Sequence, residues 1–186
     1  FKLDADPSWD DSFLETLAAW GRVACLDLKS AGQAGAGIPR GRLDFFRKLT
    51  VLFPEAWIED PPLFPEDRPL WEANWNRISW DAPIRSVEDI LRLPRLPAGI
   101  NVKPSRIGSL ERLFAVYAFC LREGISLYGG GMFEIGVGRR QLAILAAMFH
   151  PEAPNDVAPS AWHTEVPGPG LPDSPLTHPV PRVGFH

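Results

Sequence analysis

Short apolar runs alternate along the chain with longer stretches in which apolar positions recur every three or four residues. The short runs, at 1–4, 23–28, 56–59, 78–81, 100–103 and 125–128, predict strands, with a seventh near 156–158. Their starts recur every 22 to 33 residues, the length of a strand-plus-helix unit. Helices are predicted between them. Ser8 and Asp11 form a capping box for a helix that Gly21 closes, Leu43, Phe46, Leu49 and Phe53 mark a second, and Ser86 with Asp89 opens a short third. A fourth covers 109–123, where Leu110, Leu113, Phe114, Tyr117, Ala118 and Leu121 form a core-facing stripe that ends before Gly124; a last helix runs from Arg139 to His150.

This alternation predicts an α/β fold with a parallel sheet, of the TIM-like (β/α) barrel type and incomplete at its N-terminal side, about seven of eight strands being present. An open parallel sheet leaves unpaired edges, so the missing strand is expected before residue 1, and the chain reads as the later portion of something longer. After His150, nine prolines between Pro151 and Pro181 forbid continued helix or central strand. The expected organisation is a barrel domain over 1–163 followed by a Pro-rich tail over 164–186.

Composition narrows this little. An apolar content of 45% over 186 residues suits one globular core, and a net charge of −4 without a basic stripe argues against nucleic acid and anionic membranes as partners. Cys25 and Cys120 lie in apolar stretches and read as buried thiols of a reducing compartment. No apolar run approaches the length of a membrane span and no signal peptide is evident, so a cytoplasmic location is expected.

The strand ends carry the chemistry. Asp27 and Lys29, Glu59 and Asp60, Asp81, and Lys103 close successive strands, at spacings of 25 residues from Lys2 to Asp27, then 32, 22 and 22. Lys2 and Asp4, two apart, share a face of the first strand. In a parallel barrel these ends converge on one rim, where repeated charge is costly unless paired or bound to metal. Three carboxylates, Asp27, Glu59 and Asp81, supply hard oxygen ligands for Mg²⁺, with Mn²⁺ as the alternative. His150, His163, His178 and His186 all lie late and lack metal-site spacing. A metal on a substrate carboxylate stabilises the enediolate formed when the α-proton leaves, and a lysine near that charge is suited to be the base. Lys103 is the expected base, Lys2 a second lysine on the opposite side of a planar intermediate, and Lys29 a third catalytic candidate. Asp60 and Asp4 read as local caps or ion-pair partners.

The motifs Trp57-Ile58-Glu59-Asp60-Pro61, Trp80-Asp81-Ala82-Pro83-Ile84, 100–108 (INVKPSRIG) and 130–139 (GGMFEIGVGR) resemble the barrel domain of the enolase superfamily. The likeness is nearest to the muconate-cycloisomerase-like branch, with its o-succinylbenzoate synthases, N-acylamino acid racemases and dipeptide epimerases. Asn155-Asp156-Val157-Ala158-Pro159-Ser160 resembles the last barrel segment. The resemblance implies metal ligands at Asp27, Glu59 and Asp81, the sixth-strand lysine at Lys103, the second lysine of a second-strand pair at Lys2, and a substrate-side residue at Glu134. It also implies a small-molecule carboxylate substrate and, in the longer protein, room for a homo-oligomer.

The departures lie at the same rim. Asp27-Leu28-Lys29 stands where the family shows Asp-x-Asn, and Ala82 follows Asp81 where the family shows Glu. The first lysine of the pair would precede Phe1, and the capping domain that sets substrate specificity is not in this chain. An inactive barrel serving as a binding module and a lysine or metal-dependent aldolase are the alternatives to proton abstraction.

Overall fold

The computed structural model describes residues 1–30, 40–134 and 136–157. Its strands are β1 (Lys2–Asp4), β2 (Cys25–Asp27), β3 (Trp57–Glu59), β4 (Ile78–Trp80), β5 (Gly99–Val102) and β6 (Ser126–Gly129), in chain order within the sheet. The pairs from β1 to β5 are parallel. Their helices are α1 (Asp11–Trp20), α2 (Leu43–Leu52), α3 (Arg68–Ala73), α4 (Val87–Leu91), α5 (Pro104–Ile107), α6 (Leu110–Glu123) and α7 (Gly136–Phe149). The expected seventh strand is a single parallel bridge, Gly130 with Asp156, among the described residues. Ala158, Ile135, the end of the last motif and the Pro-rich tail lie outside them.

The chain divides into two compact units, Phe1–Ile84 with Ile90–Ile100, and Arg85–Asp89 with the chain from Asn101 onward. In the first, β2 and β4 are buried at every position, as parallel strands covered on both faces must be. Leu14, Leu26, Phe46, Leu49, Ile58, Trp71 and Ile78 fill its core. Asp10, not Ser8, caps α1, because its carboxylate accepts the Phe13 N–H at 2.8 Å while Ser8 bonds back to Asp6. Gly21 closes that helix at φ 67°, where a side chain would be strained. The C-terminus of α2 is held by a buried cation: the Arg77 guanidinium donates to the carbonyls of Thr50 (2.8 Å), Phe53 (2.5 Å) and Ala56 (3.3 Å). Helix α3 and the 3₁₀ turn Trp75–Arg77 are not among the expected elements; Pro69 sits in the first turn of α3, where its missing N–H costs nothing.

In the second unit α6 carries Leu113, Val116, Tyr117, Phe119 and Cys120 inward. Leu110, Phe114 and Leu121 of the expected stripe are exposed, so the buried face is rotated from the predicted one. The sequence holds two overlapping apolar ridges; Tyr117, on the buried one, stacks on Phe149 at 4.1 Å, and half-exposed Phe114 meets the same ring at 6.0 Å. Helix α7 begins at Gly136, three residues before the predicted Arg139. Both cysteines are buried and unpaired with each other, as expected. No described helix is long and apolar enough to cross a membrane.

Candidate active site

In the first unit the strand register aligns acidic ends side by side. Asp4 pairs with Asp27 and Asp27 with Glu59, while Glu59 pairs with Ser79, two residues before Asp81. Neighbouring parallel strands lie about 4.8 Å apart, so ionised carboxylates in that register demand cations. Two lysines answer. Lys2 Nζ lies 2.6 Å from Glu59 Oε1 and 3.0 Å from Asp27 Oδ2, with its side chain only 7% exposed. Lys29 Nζ lies 2.6 Å from the same Asp27 Oδ2 and 3.1 Å from Asp4 Oδ1.

Asp27, Glu59 and Asp60 each offer an oxygen within 4.8 Å of the others. Asp81, the third expected ligand, is not in that trio but is buried and close enough to act on the charges of Glu59 and Asp60. Asp60 accepts the backbone N–H of Asp81 on one oxygen and of Ala82 on the other, each at 2.9 Å. It therefore fixes the turn that carries Asp81, a role nearer the local cap expected of it. Lys29 (φ 52°) and Asp60 (φ 49°) both leave their strands in the left-handed region, which costs on the order of 1 kcal/mol each. That cost falls at the rim and nowhere else along β2 and β3.

Electrostatics follow from this crowding. Burial, then the charges of Asp27 and Asp81, pushes the Glu59 carboxyl up to about 8 against the pull of Lys2. Burial likewise raises Asp60 to about 7, its two backbone hydrogen bonds opposing. Burial also disfavours ionised Asp27, but Lys2 and Lys29 outweigh it and hold that carboxyl below its ordinary value. Lys29 is raised, the pull of Asp27 exceeding its own desolvation. Cys25, two residues before Asp27 and on the same strand face, donates its thiol to Glu59 Oε2 at 3.5 Å. The sequence marked that cysteine only as core; strand alternation was the signal that places it beside the acids.

In the second unit Lys103, 6% exposed, follows β5 and donates to the Gly131 carbonyl at 3.2 Å, with Asp156 Oδ2 at 3.8 Å. A side chain at Gly130 would put a Cβ 2.5 Å from Lys103 Nζ and 2.8 Å from Asn101 Oδ1, so the glycine makes room for the ammonium. Asn101, two residues before Lys103 on one strand face, joins this pocket and was not anticipated. Glu134 accepts from the Ser105 hydroxyl and from the Met132 N–H at 2.6 Å. Those bonds, with the charge of Lys103, hold its carboxyl low despite partial burial. Glu134 thus clasps the loop that follows Gly130 and Gly131.

A family profile described as "Domain of unknown function (DUF8230) C-terminal domain" matches residues 1–164. Among curated proteins, the o-succinylbenzoate synthase of Bacillus subtilis is 32% identical over 50% of this chain and 26% of its own length. The N-succinylamino acid racemase of Thermus thermophilus is 28% identical over all of this chain and 52% of its own. The chain thus spans no more than about half the length of either. Among solved structures, an enolase-superfamily member from Listeria innocua aligns at 26% identity and TM-score 0.62, over 78% of this chain and 39% of that one. A dipeptide epimerase of Methylococcus capsulatus, solved with Mg and the dipeptide L-Arg-D-Lys, aligns at 25% identity and TM-score 0.60, over 86% and 46%. These likenesses bear out the resemblance read from the motifs, and with it an α/β fold of the parallel barrel type, incomplete over this chain.

Proposed function

The chain belongs to the DUF8230 C-terminal domain family, and from that premise we propose that the intact protein abstracts a proton α to a carboxylate in a Mg²⁺-dependent reaction. The enediolate so formed leads to racemisation or epimerisation, cycloisomerisation or β-elimination. The observation that carries this is the register-aligned acidic rim, with oxygens of Asp27, Glu59 and Asp60 within 4.8 Å of one another. Enzymes named as a synthase, a racemase and an epimerase among the similar proteins support the reaction class.

The donor set fits a hard divalent cation. Asp27, Glu59, Asp60 and Asp81 crowd one rim with two ammoniums, Lys2 and Lys29; with all four carboxyls ionised the deficit is two charges, which a divalent cation would match, and its binding would draw the protons from Glu59 and Asp60. Asp27 and Glu59 would hold it, with Asp81 as the third ligand that the family resemblance implies, while Asp60 accepts the Asp81 and Ala82 N–H groups and so positions Asp81. The chemistry that a bound Mg²⁺ supplies is neutralisation of charge developing on the substrate carboxylate. Lys103 takes the α-proton; Gly130 leaves room for its side chain, and the Gly131 carbonyl and Asp156 hold it. Lys2, already engaged with Asp27 and Glu59, adds fixed positive charge and serves as the second lysine. Glu134 sets the Met132 loop on the substrate side.

The test is deuterium incorporation at the α-carbon in D₂O, read by NMR across N-acyl amino acids, dipeptides and hydroxy acids. Exchange is expected only with Mg²⁺ or Mn²⁺, and none with Lys103→Ala. No exchange by the intact protein over the whole panel would sink this reading. The two lysines that already neutralise Asp27 favour a second one, a scaffold without activity. Calorimetry separates the two: the scaffold shows no Mg²⁺ binding at millimolar concentration.

A further inference from the structure

We propose that Lys29 is a tethered cation that competes with the divalent metal for Asp27, with Asp4 as the anchor to which its ammonium moves when metal binds. This rests on the assignment of Asp27 as a metal ligand and goes beyond it, giving the rim a built-in regulator of metal affinity. Asp27 Oδ2 is shared by two ammoniums, Lys29 at 2.6 Å and Lys2 at 3.0 Å. The two differ in where they can go. Lys2 is 7% exposed and lies between two buried carboxylates, so leaving either strands a charge away from water. The Lys29 side chain is 43% exposed and already spans to Asp4, which is 68% exposed. Letting go of Asp27 leaves it with a carboxylate and with solvent.

The backbone makes the exchange clean. Lys29 N–H donates to Asp27 Oδ1 at 2.9 Å, a bond separate from the ammonium contact on Oδ2. Asp27 therefore keeps a main-chain hydrogen bond when the Lys29 ammonium leaves Oδ2, and Lys2 stays in place beside it. The left-handed φ of 52° at Lys29 suits asparagine among uncharged replacements, so Lys29→Asn removes the cation without straining the turn. The family pattern Asp-x-Asn lacks this competitor; here it is part of the chain.

Calorimetric titration with Mg²⁺ alone, on the intact protein at fixed pH and ionic strength, tests it. Lys29→Asn is expected to tighten Mg²⁺ binding at least tenfold, Lys29→Arg to leave it within about threefold, and Asp4→Asn to weaken it severalfold. In the wild type, Mg²⁺ should also speed acetylation of Lys29, mapped by peptide mass, as its ammonium leaves Asp27. An unchanged or weaker Kd in Lys29→Asn, with Mg²⁺ bound by the wild type, overturns the competition and leaves the proposed function standing. Binding by Lys29→Asn where the wild type binds none supports the competition in its strongest form. Mg²⁺ bound by neither, with folding intact by circular dichroism, overturns both.

Discussion

Glu59 concentrates the rim's electrostatics in one carboxyl. A group whose folded pKa is raised holds its proton more tightly in the folded state than in the unfolded one. Its contribution is full below the ordinary 4.5 and is lost as pH climbs towards about 8. Asp60 acts in the same sense between 3.8 and about 7. Asp27, held low, acts oppositely, and its contribution vanishes only as pH falls below its ordinary 3.8. Between pH 5 and 8 these two carboxyls should therefore cost the metal-free protein stability as pH rises, while His150, held low by burial, acts in the opposite sense below 6.5. Urea midpoints in the presence of a chelator, compared between the wild type and Glu59→Gln, isolate the carboxyl contribution, and the variant should lose less stability over that range. An identical pH dependence in the two would contradict the assignment. Gly130 provides a second test at this scale. Gly130→Ala should displace the Lys103 ammonium, a flexible end that can move, and reduce α-proton exchange far more than stability. That Asp27, Glu59 and Lys103 close successive strands was legible from spacing alone. The pair of hydrogen bonds that Asp60 accepts from the Asp81 and Ala82 N–H groups was not, because it depends on a left-handed φ that no residue type announces.

Elements show where pattern suffices and where packing decides. Strand positions were legible because parallel strands buried on both faces leave unbroken apolar runs bounded by charge. The orientation of α6 was not, since Leu110, Phe114 and Leu121 satisfy helical spacing as well as Leu113, Tyr117 and Cys120 do, and only their burial in the folded chain separates them. Helix α2 depends on a residue outside itself. Arg77 is 9% exposed, donates to the Thr50 carbonyl in the last turn of the helix, and adds a second donor to the Phe53 carbonyl, which also accepts the Ala56 N–H. Arg77→Met keeps much of the volume but removes the donors, and should cost about 2–4 kcal/mol by denaturant unfolding. Exposed Arg47, whose partner Asp44 sits one turn before it, should cost less than about 0.5 kcal/mol on replacement by Ala.

At the scale of the whole molecule, the charges that call for a cation are unevenly distributed. Asp27, Glu59, Asp60, Asp81, Lys2 and Lys29 all belong to the first compact unit, whereas Lys103 and Glu134 belong to the second. A ligand that binds the folded state stabilises it by an amount that grows about 1.4 kcal/mol per tenfold rise in free concentration above its Kd. That stabilisation reaches only those amides whose exchange requires opening of the liganded unit. Hydrogen exchange with and without Mg²⁺ should therefore show added protection at Leu28, Ser30 and Asp60, whose N–H groups continue the β2–β4 pairing past the strand ends. Amides of α6 and α7 should gain little. Equal protection in both units would mean that they open together, and the rim would then stabilise the whole chain. Absence of protection in either, at saturating Mg²⁺, would instead mean that Lys2 and Lys29 meet the charge demand of the acids unaided.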